Sequence, residues 1–565
     1  MKNFYYLFST LVSIAFLFYS CQPELSIKNY EQLVDEFESW YVPLYQDIKH
    51  AEYRAAVTGN ELDYQLAADL NVKLNNKLSN SKTFKRLEAY RQSNVIENPQ
   101  QKRELELIYN EFLMHQIDPQ KMEDMVRLNL KVNQLFSTFQ PKIDNLPVSH
   151  NSIDEVLSTS LNSAELEQAW MAGKQVGEVV AKDFIRLVKL RNEAARSLGF
   201  ENYFDLRIRL SGHKPELLAS IYDEFDLITK DLYHDLKEKI DEQLSIIYSV
   251  PKDNLMPWHY QNLFFQDAPN IYRINFDEYY EGKDIVKLAE TFFQGIGIDL
   301  TDIYAKSHVV NNHQPTKLAT ALTMNMDRSG DVRILASISE SESGMNTLLY
   351  ESGIAAYEKY IDQQLAFMLR EPSQIMVADA IATFFGRFSA NPDWIKEVTG
   401  VEFKNEPLIR DHLQKHQMMS KLIFARWAQV MYHFEKDLYE NPERDLNQHW
   451  WDLVQKYQHI KPPAGRNSPD WISKAHFITQ PCMYHNYMLG ELFACQLYHH
   501  INTKIIHDED NCVLSCVNKP AVGDYLVNQI FRYGKIYHWD ELVNKATGES
   551  LNVDYYRRQF VNAGF

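Results

Sequence analysis

Helix-breaking residues are scarce in this chain, and that scarcity restricts what it can fold into. The 565 residues include 19 glycines and 20 prolines, so long stretches lack both the backbone freedom of glycine and the missing amide hydrogen of proline. Apolar residues recur at helical spacing, first in a stripe formed by Tyr30, Leu33, Val34, Phe37 and Tyr41. The sequence therefore predicts an all-α fold.

A sequence pattern typical of β-strands is confined to residues 321–339, ALTMNMDRSGDVRILASIS. Asp327, Ser329 and Gly330 predict a turn between two short strands, and thus a small β-hairpin. Further along, residues 188–206 predict a helix that stops near Gly199 and restarts. Loops are predicted at residues 142–152, 250–270, 305–316 and 461–470.

The charge balance excludes some classes of partner. Acidic side chains outnumber basic ones by 76 to 58, which gives a formal net charge of -18. Because such a body repels phosphate and no basic patch is visible, we expect no nucleic-acid partner.

The first 21 residues, MKNFYYLFSTLVSIAFLFYSC, have the pattern of an export signal. Lys2 precedes an apolar run that is too short to span a bilayer, and Ser20 precedes Cys21. The segment resembles a bacterial lipoprotein signal, in which Cys21 becomes the lipidated first residue. An uncleaved anchor helix is the alternative, and both place the remaining chain outside the inner membrane.

This reading predicts a signal peptide over residues 1–20 and a single domain over residues 21–565. The expected location is the bacterial cell envelope, on its periplasmic or surface face, with membrane contact only through the lipid.

Four further cysteines, Cys482, Cys495, Cys512 and Cys516, are too few for a disulfide framework. Cys512 and Cys516 pair if their segment is a loop, and otherwise all four are isolated thiols. No pattern indicates a catalytic cysteine.

Five sequence motifs follow one another along the chain: LMPWHYQNLFFQDAP (255–269), MNTLLYESGIAAYEKYID (345–362), LREPSQIMVADAIATFFGRFSANPDWI (369–395), KAHFITQPCMYHNYMLGELFACQL (474–497) and ATGESLNVDYYRRQF (546–560). In kind and in order they resemble the motifs of the angiotensin-converting-enzyme family of zinc dipeptidyl carboxypeptidases, especially its bacterial members. The resemblance implies a two-lobed helical body that encloses a deep cleft.

The chain departs from this family at the zinc ligands. Where the family has H-E-x-x-H, this sequence has Tyr350 and Ile354 in place of the two histidines, and Asp379 falls at the family's glutamate ligand. A catalytic zinc needs three protein ligands and an open position, and Ile354 supplies none. We therefore expect no zinc and no other cofactor. Glu351 matches the family's general base, but without metal-bound water its catalytic role lapses.

Other positions match the family's substrate contacts. By resemblance, Lys474 anchors a peptide's terminal carboxylate and His476 donates a hydrogen bond to the peptide backbone. Tyr487 matches the tyrosine that stabilises the oxyanion, and Tyr484 precedes it in a Tyr-x-x-Tyr motif displaced by one inserted residue. Gln261 corresponds to the family's carboxylate-binding glutamine.

Two further positions differ from the family. The hairpin position that is histidine in mammalian relatives falls near Thr320. His485 replaces an arginine that contributes to chloride binding, so anion activation is not expected. Without the resemblance, Lys474 would be read as a solvated lysine and the nearby aromatic residues as core.

Three functions remain open on the sequence, and only one of them is an enzyme. The first is a zinc-less pseudopeptidase that binds short peptides or an unidentified protein partner. The second is an active metallopeptidase that recruits ligands such as His476, His485, Glu340 or Glu342. The third is a helical, glycan-binding surface lipoprotein.

Overall fold

The computed structural model describes residues 25–271, 275–311, 321–507 and 515–561. Cys21, Thr320 and Cys512 lie outside these residues, as does the whole predicted signal. Cys482, Cys495 and Cys516 are free, buried thiols. None of the described helices is both long enough and apolar enough to cross a membrane.

Helices dominate the described chain, which confirms the predicted all-α class. The helices of the first part are α1 Ile27–Thr58, α2 Glu61–Leu78, α3 Ser81–Gln92, α4 Pro99–Leu113, α5 Pro119–Ser137, α6 His150–Thr159, α7 Ser163–Lys174, α8 Val176–Ser197, α9 Tyr203–Leu210 and α10 Pro215–Tyr248. Those that follow are α11 Ile285–Gly295, α12 Thr301–Lys306, α13 Glu342–Lys359, α14 Ile375–Gly386, α15 Pro392–Thr399, α16 Glu406–Glu440, α17 Leu446–Gln458, α18 His476–Thr479, α19 His485–His500, α20 Pro520–Gln529, α21 Trp539–Thr547 and α22 Asp554–Tyr556.

Several prolines start helices instead of breaking them. Helices α4, α5 and α15 each begin with proline, preceded by Asn98, Asp118 and Asn391, whose side chains accept hydrogen bonds from amides of the first turn. Proline suits this position because its missing N–H would have no partner inside the helix. The break near Gly199 is also as predicted: α8 ends at Ser197, Gly199 has a φ of +89°, and α9 begins at Tyr203.

The strands form two small sheets. β1 (Lys142–Ile143) pairs with β2 (Leu146–Pro147), whereas β3 (His308–Asn311), β4 (Leu322–Asn325) and β5 (Val332–Ile338) form a sheet in the order β3-β5-β4. β4 and β5 are the predicted antiparallel hairpin. Asp327 Oδ1 closes its turn by accepting from the amides of Ser329 and Asp331.

The prediction of plain loops at residues 142–152 and 305–316 was wrong in part. The first range holds the β1–β2 hairpin, and the second holds β3, which pairs in parallel with β5. A strand of four residues shows too few alternations to be recognised by periodicity, and here its partner strand fixes it.

Contacts divide the chain into two compact units. In the described residues, one unit comprises 25–48 with 65–116, and the other comprises the remainder. The first is a helical cluster with an aromatic core, in which the ring of Tyr30 lies 5.5 Å from that of Tyr90 and the ring of Phe37 lies 4.6 Å from that of Tyr41. All residues of the candidate site belong to the second unit.

Close approach of three helices organises the core of the second unit. α14 packs against both α13 and α19, and glycines stand at the two crossings. A β-carbon added at Gly353 would lie 2.9 Å from a ring carbon of Phe385. One added at Gly490 would lie 2.9 Å from Cβ of Asp379 and 3.2 Å from the amide nitrogen of Ala380. The absence of a side chain at these points sets the spacing of the helices that carry the site.

We expect Gly490→Ala to destabilise the protein by about 1–3 kcal/mol, because the new methyl group overpacks the crossing of α14 and α19. Urea denaturation followed by circular dichroism measures the change. Gly386→Ala is the matched control, since its added β-carbon would lie 3.6 Å from its nearest neighbours. An equal loss in both variants would contradict this explanation.

Candidate active site of a peptidase fold

The β4–β5 hairpin leads directly into the helix that carries the degenerate metal motif. Ser341 caps α13 by accepting from the amide of Gly344 at 3.0 Å. Tyr350 and Glu351 lie halfway along α13, where Tyr350 faces α14 and Glu351 faces strand β4. The hairpin and the helix that carries the motif are therefore in direct contact.

Tyr350 and Asp379 join the two helices by a hydrogen bond. The Tyr350 hydroxyl donates to Oδ1 of Asp379. Asp379 is 7% exposed, and its Oδ2 has no hydrogen-bond partner among the described residues. Burial raises the pKa of Asp379 from 3.8 to about 6, whereas the Tyr350 hydroxyl lowers it. Burial, followed by the charge of Asp379, raises the pKa of Tyr350, so the phenol keeps its proton.

Glu351 is held by a neutral donor. Oγ1 of Thr323, on β4, lies 2.8 Å from Oε2 of Glu351. Burial raises the pKa of Glu351 to about 7, Thr323 opposes this, and the charge of Asp379 adds to it. Glu351 and Asp379 are thus electrostatically coupled, and both retain protons more readily than exposed carboxyls do.

The residues at the three ligand positions do not fit zinc. Tyr350 uses its hydroxyl to bond Asp379, and Ile354 presents a half-buried hydrocarbon. Zinc takes nitrogen, thiolate or carboxylate ligands in a tetrahedral arrangement, and only Asp379 offers one here. Within residues 25–271, 275–311, 321–507 and 515–561, no three His, Cys, Asp or Glu side chains are grouped to hold a metal ion.

The side chains considered as substitute ligands lie in separate surroundings. Glu340 accepts from the amide of Gly282 at 3.0 Å, and Glu342 accepts from Oγ of Ser389 at 2.6 Å. The ring of His485 packs edge-on against that of His213 at 5.0 Å between centroids. His476 lies instead among the aromatic residues described below.

Lys474 is buried among aromatic rings. It is 8% exposed, and its Nζ donates to Oε1 of Gln266. The same nitrogen lies 5.4 Å from the ring centroids of Phe264 and Trp427 and 5.9 Å from that of Tyr484. Burial lowers the pKa of Lys474 to about 8, although the charge of Asp267 opposes this. Such an ammonium group gains strongly from a carboxylate partner.

Two tyrosines and a histidine connect Lys474 with the Tyr350–Asp379 pair. The rings of Tyr484 and Tyr487 lie 5.2 Å apart, and His476 lies 5.2 Å from Tyr484 and 6.1 Å from Tyr487. The Tyr487 hydroxyl donates to Oε1 of Gln480 at 3.0 Å. Burial and the charge of Asp379 raise the pKa of Tyr487 to about 12. The structure thus brings together five of the side chains singled out in the sequence: Lys474, His476, Tyr484, Tyr487 and Asp379.

The hydrogen bonds of Gln261 join it to Tyr248 and Asn270. It has a φ of +65°, and its Oε1 accepts from the amide of Asn270 at 2.8 Å. Gln266, five residues later, is the glutamine that contacts Lys474. Sequence analysis missed Gln266, although it lies in the same motif, because the turn between the two glutamines decides which one faces the lysine.

The sequence of the chain is similar to those of known proteins of one family. The family model described as angiotensin-converting enzyme matches residues 26–555. An angiotensin-converting enzyme of Theromyzon tessulatum is 21% identical over 472 residues, which cover 76% of this chain and 75% of the relative. The angiotensin-converting enzyme of Sus scrofa is 22% identical over 61% of this chain and 28% of its own length.

A third relative is named as an inactive protein. A protein of Caenorhabditis elegans named as an inactive angiotensin-converting enzyme-related protein is 22% identical over 57% of this chain and 40% of its own length. The family model covers nearly the whole chain, and the chain therefore belongs to the angiotensin-converting-enzyme family.

We expect Tyr350→Phe to destabilise the protein by about 1–3 kcal/mol near neutral pH, because Asp379 then keeps no hydrogen-bond donor. Since the folded-state pKa of Asp379 is raised, the stability contributed by its protonation is present below pH 3.8 and lost as the pH rises through about 6. The loss caused by Tyr350→Phe should therefore be larger at about pH 8 than at about pH 5.

Urea titrations at the two pH values measure this difference. Tyr304→Phe is the control, because the Tyr304 hydroxyl lies 2.7 Å from the neutral Oγ of Ser352. Its cost should not change with pH. A pH-independent cost for Tyr350→Phe would contradict the assigned bond to a titrating carboxyl.

Proposed function

We propose that this member of the angiotensin-converting-enzyme family is a zinc-less pseudopeptidase that binds short peptides without cleaving them. The hydrogen bond between Tyr350 and Asp379 is the observation that carries the proposal. It joins the side chains at two of the three ligand positions to each other. The third position holds Ile354, whose side chain cannot coordinate a metal. The name of the C. elegans relative supports the same reading.

The energetic consequence of losing the metal is large. Zinc lowers the pKa of bound water from about 15.7 to about 7, which corresponds to about 12 kcal/mol of nucleophile activation at about 1.4 kcal/mol per pKa unit. Burial raises the pKa of Glu351 to about 7. This value is still far below the pKa of free water, about 15.7, so Glu351 alone does not deprotonate free water effectively. Its bond to Thr323 supports a role in holding the hairpin against α13.

Peptide binding is supported by what surrounds the degenerate motif. Lys474 is a buried cation that donates a hydrogen bond to a neutral partner, Gln266. Tyr484 and Tyr487 supply ring faces beside it, and the Tyr487 hydroxyl is exposed enough to meet a ligand. A terminal carboxylate is the group that this ammonium would bind. The buried state of Lys474 argues against reading it as an ordinary solvated lysine.

The cellular setting is part of the proposal. We infer export and lipid anchoring at Cys21, with the domain held in the bacterial cell envelope. The apolar run before Cys21 supports this inference.

Hydrolysis of tripeptides and longer peptides with a free carboxylate should be absent, with or without added zinc. The triple variant Tyr350→His, Ile354→His and Asp379→Glu should bind about one equivalent of zinc, because it restores three suitable ligands at helical spacing. Inductively coupled plasma mass spectrometry after dialysis measures the metal. EDTA-sensitive hydrolysis by the wild-type chain would support an active metallopeptidase instead.

Lys474→Ala should weaken binding of a peptide with a free carboxylate by about ten- to a hundredfold, since a charge-assisted hydrogen bond contributes about 1.5–3 kcal/mol. Isothermal titration calorimetry measures the dissociation constant. Lys461→Ala is the matched control, because Lys461 is exposed. The C-terminal amide of the same peptide should bind equally weakly to wild type and to Lys474→Ala. An unchanged constant for Lys474→Ala would remove the carboxylate-binding role.

A further inference from the structure

Lys174 is a second buried lysine in the larger unit of the fold. It is the last residue of α7 and is 2% exposed. The contacts of its Nζ within the described residues are with aromatic rings: the nitrogen lies 3.3 Å from the ring centroid of Phe264 and 5.1 Å from that of Trp170. A buried lysine is normally paired with a carboxylate, because an unpaired charge is costly to remove from water. Lys174 departs from this rule.

The carboxylate that acts on Lys174 is bonded to another cation. Asp470 accepts from Arg466 with both oxygens, at 2.8 Å from Nε and at 2.5 Å from Nη2. Burial lowers the pKa of Lys174 well below 10.5, and the charge of Asp470 opposes this. The positive charges of Arg466 and Lys474 lower it further. Lys174 therefore carries an uncharged amine, with a lone pair on Nζ, near neutral pH.

A half-enclosed cavity lies beside this amine. The side chains that line it with Lys174 include those of Trp170, Leu263, Phe264, Trp450 and Trp451. About 20 Å³ of this cavity is open to a water-sized molecule, which is room for about one water. Because the walls are mainly aromatic and aliphatic, a small apolar molecule suits this space better than an ion does.

We propose that Lys174 is a covalent binding site for small aliphatic aldehydes, whose carbonyl carbon Nζ captures as an imine inside the cavity lined by Trp170 and Phe264. An uncharged lysine amine in an apolar pocket beside other cations is the form of this side chain that attacks carbonyl groups. The inference goes beyond the proposed function, because it depends neither on peptide binding nor on the loss of zinc.

The reaction needs no reagent besides the aldehyde. The lone pair of Nζ forms the C–N bond while the π electrons of the carbonyl group move to its oxygen. Both hydrogens of the amine then leave with that oxygen as one water molecule, and a C=N bond remains. Since the carbonyl carbon is bonded to Nζ and the oxygen departs, only the alkyl group needs the free space, and a methyl group matches it. The surrounding rings keep bulk water from hydrolysing the product.

The test treats the purified wild-type chain with acetaldehyde at about pH 7 and reduces the imine to a stable ethylamine with sodium cyanoborohydride. Peptide mass spectrometry locates the added ethyl group. Lys174 should be labelled at least about tenfold faster than Lys461, which is exposed, because an ordinary lysine is almost fully protonated at this pH. Equal or slower labelling of Lys174 would overturn the proposal.

Two further comparisons test whether the folded cavity causes the reactivity. Phenylacetaldehyde brings a ring that the cavity cannot hold, so the preference for Lys174 over Lys461 should fall at least severalfold. Unfolding in urea should abolish the preference, since burial in the fold sets the reactivity of the amine. An undiminished preference with the larger aldehyde, or in the unfolded chain, would overturn the role of the cavity.

A variant narrows the cavity without touching the amine. Val454 lines the cavity from α17, so Val454→Ile adds one methyl group there and should slow the labelling of Lys174 by acetaldehyde severalfold. Val126→Ile adds the same group at a position that is 47% exposed and should leave the rate unchanged. Thermal unfolding shows whether each variant is folded. An unchanged rate in folded Val454→Ile would overturn the assigned cavity, and the comparison of the two aldehydes decides the matter if that variant does not fold.

Discussion

The hydrogen bond between Tyr350 and Asp379 is the interaction on which the site depends. It connects α13 with α14 at the positions where the family holds a metal, and it does so with a neutral donor and a buried carboxyl. A metal ion would bring two positive charges to this point, whereas the phenol brings none. Among the described residues, no positive charge at this point offsets the effect of burial, and burial raises the pKa of both Asp379 and Glu351. The two helices are thus linked here by a phenol and a carboxyl.

Close packing of α14 against its neighbours also positions these residues. Gly353 and Gly490 allow α14 to approach both of its neighbours closely, so the helices are positioned by backbone contact as well as by the ligand positions. Asp379 touches Gly490 on one side and Tyr350 on the other. Tyr487 lies one turn before Gly490 on α19. Burial, followed by the charge of Asp379, raises the pKa of Tyr487. The positions of Asp379 and Tyr487 are thus fixed by the packing of α14 and α19.

Much of this arrangement could be predicted from the sequence, and the parts that could not share a physical reason. Apolar periodicity and the scarcity of glycine and proline predicted the helices. The turn residues Asp327, Ser329 and Gly330 predicted the β4–β5 hairpin, because these signals are local. The motif resemblance predicted the gathering of Lys474, His476, Tyr484 and Tyr487. Strand β3 and the contact of Gln266 with Lys474 were missed, since each depends on a partner distant in sequence. Gln261 shows the same limit, because two residues with positive φ, Gln261 and Phe265, redirect the loop that contains both glutamines.

Zinc binding at the family position would contradict the proposed pseudopeptidase function most directly. The direct measurement is the zinc content of the purified mature chain after loading with excess zinc and exhaustive dialysis. With Tyr350 bonded to Asp379 and Ile354 at the third position, well under one equivalent of zinc per chain should remain. One stoichiometric equivalent, released by Asp379→Asn, would contradict the account.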